Sequence, residues 1–278
     1  MRWQGRQGSR NVQDRRGMAG PLAVGGGIVG VIVLLVNSFL GGEVDLSQFQ
    51  APQQGRPMTA EQQAAEDSLA QFVSVVLKET EDVWNKVFAE HGRDYREPTL
   101  VLFSGAVRSA CGSASSATGP FYCPGDQHLY IDLSFYDELR ERFGAPGDFA
   151  MAYVVAHEVG HHVQTLLGTT EKLAQLRAQG VSQEKYNAAS VRFELQADFL
   201  AGVWAHHTAR KDLLEEGDIA EALAAANAIG DDRIQQRTQG HVVPESFTHG
   251  TSEERMYWFR KGYESGDIRD GDTFASAR

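Results

Sequence analysis

Basic side chains are scarce in this chain of 278 residues, which has 26 Lys and Arg residues against 37 Asp and Glu residues. The resulting net charge is −11 at pH 7. A protein that binds nucleic acid needs clustered Lys and Arg to meet the phosphates. We therefore exclude nucleic acid as a partner and interpret most of the acidic charge as a solvated surface.

Cysteine is almost absent, because Cys111 and Cys123 are the only two in the chain. A zinc finger would need a second Cys or His pair close by, and none is evident. The short segment between the two cysteines is rich in Gly, Ser and Ala. We predict a disulfide between them, formed in an oxidising compartment, with free or metal-binding thiols as the alternative.

One long apolar run, at residues 21–40, stands out from the otherwise mixed sequence. About 20 apolar residues are what a bilayer core requires. No small-residue cleavage site follows the run, so a transmembrane signal anchor is favoured over a removed signal peptide. Residues 1–20 are rich in arginine and should stay cytoplasmic. Gly26 and Gly30 form a G-x-x-x-G pattern that would allow a homodimer.

The chain should therefore have four parts. Residues 1–20 form the basic arm, residues 21–40 the anchor, and residues 41–58 a flexible linker rich in Pro and Gln. Residues 59–278 form the main domain, which we expect outside the cytoplasm.

The most informative motif is His157-Glu158-Val159-Gly160-His161, which spells H-E-x-x-H. A helix turns about 100° per residue, so His157 and His161 lie on one face and can bind one metal ion. Glu158 lies beside that metal, where it can take a proton from a bound water as a general base. The alternative is two unrelated histidines and an incidental glutamate. His162 lies on another face, where it supports the site or faces solvent.

Apolar residues at helical spacing surround this motif and predict a helix that starts with Asp148 as its N-cap and stops at Gly168. A hydrolytic zinc site needs three protein ligands and one open position for water. The metzincin continuation of the motif is absent, because Gln164 and Leu167 occupy its Gly and His positions. The third ligand must come from downstream, where the candidates are Glu194, Asp198, His206, His207, His241 and His249.

A second predicted helix, at residues 184–208, places Glu194 and Asp198 on one apolar-flanked face. Burying two carboxylates is costly unless a positive group meets them, and a Zn²⁺ ion would be that group. We assign Glu194 as the third ligand and Asp198 as the acceptor for a ligand histidine N–H. The alternative is a solvated acidic pair. We expect His206 and His207 at the surface.

Four segments now resemble the bacterial putative neutral zinc metallopeptidase family. They are residues 156–164 (AHEVGHHVQ), 194–204 (ELQADFLAGVW), 111–132 and 249–262. The resemblance implies a single-pass protein of the bacterial inner membrane with gluzincin-like catalytic logic, its catalytic domain periplasmic or extracellular. It also implies His157, His161 and Glu194 as ligands of one zinc ion and Glu158 as the general base.

The remaining pattern predicts an α+β, zincin-like domain that is mainly helical. Thr59 with Gln62 and Thr251 with Glu254 are capping-box pairs that start the first and last helices. Asp218 and Glu221 are expected to cap another helix, which should end at Gly230. Residues 98–104 and 129–133 read as strands. We hypothesise that the strand at 129–133 is an edge strand that binds extended peptide; a plain sheet strand is the alternative.

These placements predict a peptidase that uses zinc-activated water, with a peptide or protein substrate. The oxyanion donor is expected to be His249, with Tyr130, Arg255 and Tyr257 as rivals. Two other functions remain open. One is a membrane-tethered binding module with a structural zinc ion, and the other is a zinc hydrolase of non-peptide amides.

Overall fold

The part of the protein described by the computed structural model comprises residues 1–17 and 59–275. The predicted anchor at residues 21–40, with Gly26 and Gly30, and the predicted linker at residues 41–58 lie outside these described residues. Across residues 1–17 and 59–275, no helix combines the length and apolar character that a membrane crossing requires.

Long helices form the larger layer of the described fold, around the apolar core. They are α1 (Ala60–Glu90), α2 (Asp148–Leu167), α3 (Thr169–Ala178), α4 (Gln183–Ala209), α5 (Asp218–Ala228), α6 (Asp231–Gln239) and α7 (Ser252–Ser265). Shorter helical segments are Ser116–Thr118, Phe135–Asp137, Glu138–Arg142, Pro244–Ser246 and Ile268–Asp270.

The helix boundaries follow local capping chemistry in most places. Both predicted capping boxes are confirmed: the side chain of Thr59 accepts from the backbone N–H of Gln62, and Thr251 does the same for Glu254. Gly168 ends α2 in the left-handed region, with φ of 82°.

Two predicted N-caps are wrong. Gly147 is the N-cap of α2 and Gly217 is that of α5, so Asp148 and Asp218 are the first residues inside their helices. Neither carboxylate closes a side-chain cap, because both accept hydrogen bonds from the amino terminus of the chain. The helix α5 also ends at Ala228, before the predicted Gly230.

The strands form a four-stranded sheet with the order β1-β2-β6-β5 and a separate hairpin of β3 and β4. Their bounds are β1 (Val12–Asp14), β2 (Thr99–Phe103), β3 (Ala106–Ser109), β4 (Gly112–Ser115), β5 (Phe121–Cys123) and β6 (His128–Asp132). The strands β1, β2 and β6 are parallel, whereas β5 runs antiparallel to β6. Both predicted strands are confirmed, and an α+β fold results.

The predicted role of the strand at residues 129–133 is wrong, because β6 is internal. It pairs with β2 on one side and with β5 on the other, so its backbone groups are already bonded within the sheet. The edge strands are β1 and β5, each three residues long, and β5 is the one beside β6. The apolar residues of this segment correctly identified a strand. Such residues are buried in an internal strand, so they do not indicate a position at the edge of the sheet.

The arginine-rich arm is part of the domain. Its strand β1 pairs with β2, with Val12 opposite Leu100. Before this strand, the Arg6 guanidinium donates to Glu79 of α1 at 3.0 Å, and the Ser9 hydroxyl donates to Glu81 at 2.5 Å. The arm therefore supplies the domain with a strand and with side-chain partners.

The amino-terminal ammonium is also bound to the domain. It donates to Glu215 at 2.8 Å, to Asp148 at 3.1 Å and to Asp218 at 3.2 Å. Burial alone would lower the pKa of this ammonium, but the hydrogen bonds that it donates to Glu215 and Asp148 raise that pKa to about 10. The arm that the sequence predicts as a separate part thus contacts the domain through its first residue as well as through β1.

The helices α4 and α7 cross at unusually close range because glycine occupies both contact points. A Cβ added to Gly202 would collide with the carbonyl oxygen of Phe259, and one added to Gly262 would collide with that of Phe199. Only glycine permits this backbone approach. The crossing brings the buried Arg255 of α7 against the buried Asp198 of α4.

Candidate metal centre

Three predicted ligands meet at one point between α2 and α4. The Nε2 atoms of His157 and His161 lie 3.2 Å and 3.5 Å from Oε2 of Glu194. One ligand atom from each of these residues lies within 4.8 Å of the others, and no ion is present among them. The donor set of two imidazoles and one carboxylate is typical of catalytic zinc. These residues therefore fit the metal that the sequence predicts.

The partner of His157 fixes which of its nitrogens faces the centre. Its Nδ1 lies 2.8 Å from Oδ1 of Asp198, so the N–H at Nδ1 donates to that carboxylate. The lone pair of Nε2 is then left for a metal. Asp198 thus lies where the prediction places the acceptor of a histidine N–H.

His161 is oriented in the same way by a residue of its own helix. Its Nδ1 lies 2.8 Å from Oε1 of Gln164, whose amide nitrogen in turn donates to the backbone carbonyl of Phe193 at 2.7 Å. The amide therefore links α2 to the turn of α4 that carries Glu194. The sequence analysis missed Gln164, although its spacing of three residues from His161 was a usable signal.

The glycine of the motif permits α4 to approach the histidines. A Cβ on Gly160 would lie 3.0 Å from the carbonyl oxygen and 3.1 Å from the Cα of Ala197. Any larger residue would force the two helices apart. The small side chain therefore sets the distance at which Glu194 reaches His157 and His161.

Behind the ligands lies a buried network that the sequence analysis mostly missed. The Tyr153 hydroxyl donates to Asp198 at 2.5 Å, and Arg255 donates to both oxygens of that carboxylate, at 2.8 Å and 3.0 Å. From the sequence, Arg255 was considered only as an alternative to His249 as the donor to the oxyanion. Tyr153 lies one helical turn before His157, so its position on the same face was readable from spacing.

The charges of the centre favour a cation. Burial would raise the pKa of the Glu194 carboxyl, but His161 and His157 hold it well below its usual value. Burial lowers the pKa of His157, yet Asp198 and Glu194 outweigh it and raise that pKa to about 10. Carboxylates that hold a proton this firmly also neutralise a divalent ion.

Glu158 has the properties of a base. It is buried, and burial raises the pKa of its carboxyl above 4.5, although the neighbouring His161 and His157 act in the opposite direction. A carboxylate whose pKa is raised in this way is a stronger base than a solvated one, so it accepts a proton more readily.

The centre lies in a cleft of about 680 Å³. Its apolar lining comes from several elements, and it includes Pro120, Phe121, Tyr122, Phe135, Phe143, Val154, Leu173, Phe193, Ile229 and Ile234. The edge strand β5 contributes Phe121 and Tyr122 to this lining, so the strand borders the cleft that contains the ligands. This combination of apolar walls and a few convergent polar groups is typical of a substrate site.

Among the proposed oxyanion donors, the structure favours His249. It lines the cleft with Glu158 and Glu194, and its Nδ1 lies 3.2 Å from Asp231. Asp231 also accepts from the backbone N–H of His249 at 2.7 Å. Burial lowers the pKa of His249, but the Asp231 hydrogen bond outweighs it and raises that pKa above 6.5. The sequence analysis did not identify Asp231.

The rivals of His249 are otherwise engaged. The Tyr130 hydroxyl donates to Asp126, and Tyr257 is 58 % exposed and does not line the cleft. Arg255 lines the cleft, but its donors are used by Asp198, Tyr153 and the carbonyl of Ile229.

The other candidate histidines lie elsewhere. His206 and His207 are half-buried and contact the carbonyl oxygens of Tyr263 and Gly266 on the α7 side, and the exposed His241 contacts the carbonyl of Gln239. The expectation of a surface position is therefore wrong for the adjacent pair, which packs against α7.

The predicted disulfide is confirmed: Cys111 and Cys123 are bonded, with a sulfur–sulfur distance of 1.99 Å. Cys123 is the last residue of β5. The bridge thus ties the edge strand of the cleft to the β3–β4 hairpin.

Comparison with known proteins agrees with this geometry. The profile of the family described as "Putative neutral zinc metallopeptidase" matches residues 1–274. "Uncharacterized protein YpfJ" of Escherichia coli (strain K12) is 48% identical over 292 aligned residues that cover 100% of both chains. "Uncharacterized protein Rv2575" of Mycobacterium tuberculosis (strain ATCC 25618 / H37Rv) is 48% identical over 194 residues, 66% of this chain and 64% of its own. No solved structure matches this chain.

Proposed function

We propose that this chain, which belongs to the putative neutral zinc metallopeptidase family, hydrolyses peptide bonds at a zinc ion held by His157, His161 and Glu194. One observation carries the proposal. The three donors converge on the floor of an open cleft, with the buried carboxyl of Glu158 beside them.

The number of donors supports an enzyme over a structural zinc site. Within residues 1–17 and 59–275, no fourth His, Cys, Asp or Glu joins His157, His161 and Glu194. A structural zinc site has four protein ligands, whereas a catalytic one keeps a position for water. The adjoining cleft supplies the access that such a position needs.

Glu158 carries out the first two proton transfers of the proposed reaction. When bound, the zinc ion supplies Lewis-acid activation of a water molecule and of the substrate carbonyl. Glu158 accepts one proton from that water as its oxygen bonds to the carbonyl carbon. Glu158 then delivers the proton to the amide nitrogen as the carbon–nitrogen bond breaks, and the second proton of the water passes from the new carboxyl group to the amine, which leaves a carboxylate and an ammonium.

His249 stabilises the negative charge on the carbonyl oxygen. The Nδ1 atom of His249 lies 3.0 Å from the Thr248 hydroxyl and 3.2 Å from Asp231, whose carboxylate favours a proton on that nitrogen. A His249 with its proton at Nδ1 has an N–H at Nε2 only as the imidazolium, which is the form that would donate to the carbonyl oxygen. The hydrogen bond with Asp231 favours that charged form.

The cleft favours an extended peptide with bulky apolar side chains. The strand β5 is at the edge of its sheet, and an extended chain can add to such an edge through backbone hydrogen bonds. The apolar lining then receives alternate side chains of the bound chain. A non-peptide amide would not need this strand, and for that reason we favour the peptide.

We further propose that the domain lies outside the cytoplasm. The disulfide between Cys111 and Cys123 supports this location, because cytosolic thiols are kept reduced. Since residues 1–17 pack against the domain, we place them on the same side.

The test replaces the base and keeps the ligands. The variant Glu158→Gln should retain zinc at the wild-type amount, and its kcat on an unfolded protein such as casein should fall by about 10²–10⁴-fold. Glu253→Gln, on the exposed face of α7, is the matched control and should cleave at the wild-type rate. Equal rates for wild type and Glu158→Gln would remove Glu158 from the mechanism.

A panel of peptides and non-peptide amides, each with and without a zinc chelator, tests the function itself. We expect chelator-sensitive cleavage of peptides with large apolar residues. A zinc-loaded wild-type protein that cleaves only the non-peptide amides, or nothing at all, contradicts the proposal.

A further inference from the structure

His162, the residue after the last ligand of the motif, joins three separate parts of the fold. It is fully buried, and its Nε2 lies 2.6 Å from the carbonyl oxygen of Arg96, just before β2. Its Nδ1 lies 3.1 Å from the hydroxyl oxygen of Tyr122, in the middle of the edge strand β5. One imidazole thus connects the metal-binding helix, the segment before β2 and the edge of the cleft.

The partners of His162 define its hydrogen bonds. A backbone carbonyl only accepts, so the N–H must be on Nε2 and must donate to Arg96. The other nitrogen, Nδ1, is then an acceptor, and the Tyr122 hydroxyl donates to it. A side chain at this position therefore needs one donor and one acceptor on opposite sides. The imidazole meets both needs in its neutral form.

The edge strand has few other attachments. It is three residues long, and within residues 1–17 and 59–275 its one pairing partner is β6, so the strand is held weakly by its own backbone. The disulfide fixes its Cys123 end to the β3–β4 hairpin, not to the metal helix. The Tyr122 hydroxyl attaches the strand to α2 through its hydrogen bond with His162 and a second one with Thr165, and the Tyr122 and His162 rings lie 5.5 Å apart.

We propose that His162 is a positioning residue which, through Tyr122, holds the edge strand at a fixed distance and angle from the metal ligands. The inference rests on the proposed peptidase function, because it assigns the strand to the substrate. His162 and His161 are consecutive residues of one helix, so the strand that binds the peptide and the ligand that binds the metal share one rigid element. A bound peptide therefore places its carbonyl relative to the metal without a separate adjustment.

The test is Tyr122→Phe, which removes one hydroxyl and keeps the ring. For a peptide long enough to lie along β5, kcat/KM should fall roughly fivefold, mainly through KM. For a minimal blocked dipeptide, which makes few contacts with the strand, the fall should be smaller. Tyr257→Phe is the matched control, because that exposed ring does not line the cleft. His162→Gln keeps a donor and an acceptor and should lose less than His162→Leu.

A second readout does not depend on catalysis. Amide hydrogen exchange at residues 121–123 should be faster in Tyr122→Phe than in wild type, in both zinc-free and zinc-loaded protein, while zinc content stays equal. Unchanged exchange, or equal losses for the long peptide and the dipeptide, would overturn the positioning role and leave the peptidase proposal intact. Failure of zinc-loaded wild type to cleave any peptide would instead remove the proposed function. If His162→Leu does not fold, the comparison rests on Tyr122→Phe.

Discussion

Arg255 and Asp198 form a buried, bidentate ion pair directly behind the metal-binding histidine His157. The Nε atom of Arg255 lies 2.8 Å from Oδ2 of Asp198, and its Nη2 lies 3.0 Å from Oδ1. Asp198 is fully buried, and Arg255 keeps the pKa of that carboxyl at about 2 against the effect of burial. The pair lets Asp198 remain an anion that orients His157.

Replacement of Arg255 should therefore destabilise the domain strongly. In Arg255→Met, the charge of Asp198 stays buried without its partner, which costs about 3–5 kcal/mol in the free energy of unfolding. Chemical denaturation of the zinc-free protein measures the loss. Arg269→Met is the control, since that exposed arginine pairs with Asp267 at the surface and should show no measurable change. An Arg255→Met protein as stable as wild type would mean that Asp198 is neutral or solvated.

Glu194 should determine zinc binding. In Glu194→Ala the centre keeps only His157 and His161, and two ligands do not hold zinc tightly. We expect wild type to retain about one zinc per chain after dialysis and to gain thermal stability when zinc is added. Glu194→Ala should lose both properties, measured by elemental analysis and thermal denaturation. Glu184→Ala, in the first turn of the same helix, should behave as wild type. Full zinc retention by Glu194→Ala would identify a different third ligand.

The pH dependence of kcat/KM should be bell-shaped. Glu158 acts as a base only when ionised, so activity falls as the pH drops through its pKa, which burial raises above 4.5. His249 donates only when protonated, so activity falls as the pH rises through its pKa, which lies above 6.5. The pH–rate profile of wild type on one peptide measures both limbs.

Variants assign the alkaline limb of that profile. His249→Phe should lose about 10²-fold in kcat and show no dependence on pH above neutrality. Asp231→Asn should move the limb to lower pH, because the carboxylate that raises the pKa of His249 is gone. An unchanged alkaline limb in His249→Phe would assign it to another group.

The arm and the domain should lie on the same side of any membrane. Gln7 of the arm and Glu253 of the domain are both exposed. Variants with one added cysteine, at either position, should be labelled equally by a membrane-impermeant thiol reagent in cells. The native Cys111 and Cys123 should not react, because they are bonded to each other. Buried Ala150→Cys serves as the negative control. Labelling of only the Glu253→Cys variant would support the single-pass arrangement predicted from the sequence.

Much of the centre was predictable because it is local. The spacing of His157, Glu158 and His161 depends only on the helical repeat, which is the same in every α-helix. Glu194 and Asp198 were identified by the cost of burying two carboxylates on one helix face. The capping boxes at Thr59 and Thr251 follow from hydrogen bonds three residues apart.

Contacts between residues that are distant in the sequence could be identified only from the tertiary structure. No local pattern distinguishes the internal β6 from the edge strand β5, because strand order depends on pairing across the whole sheet. The same holds for Arg255, which reaches Asp198 only because Gly202 and Gly262 let two helices touch. The basic arm shows the contrast best. Its charge and the apolar run after it pointed to the cytoplasm, whereas its strand and ammonium bind the domain. The composition of a segment indicates whether it prefers water or lipid. Whether the segment instead packs against another part of the same protein depends on the folded structure.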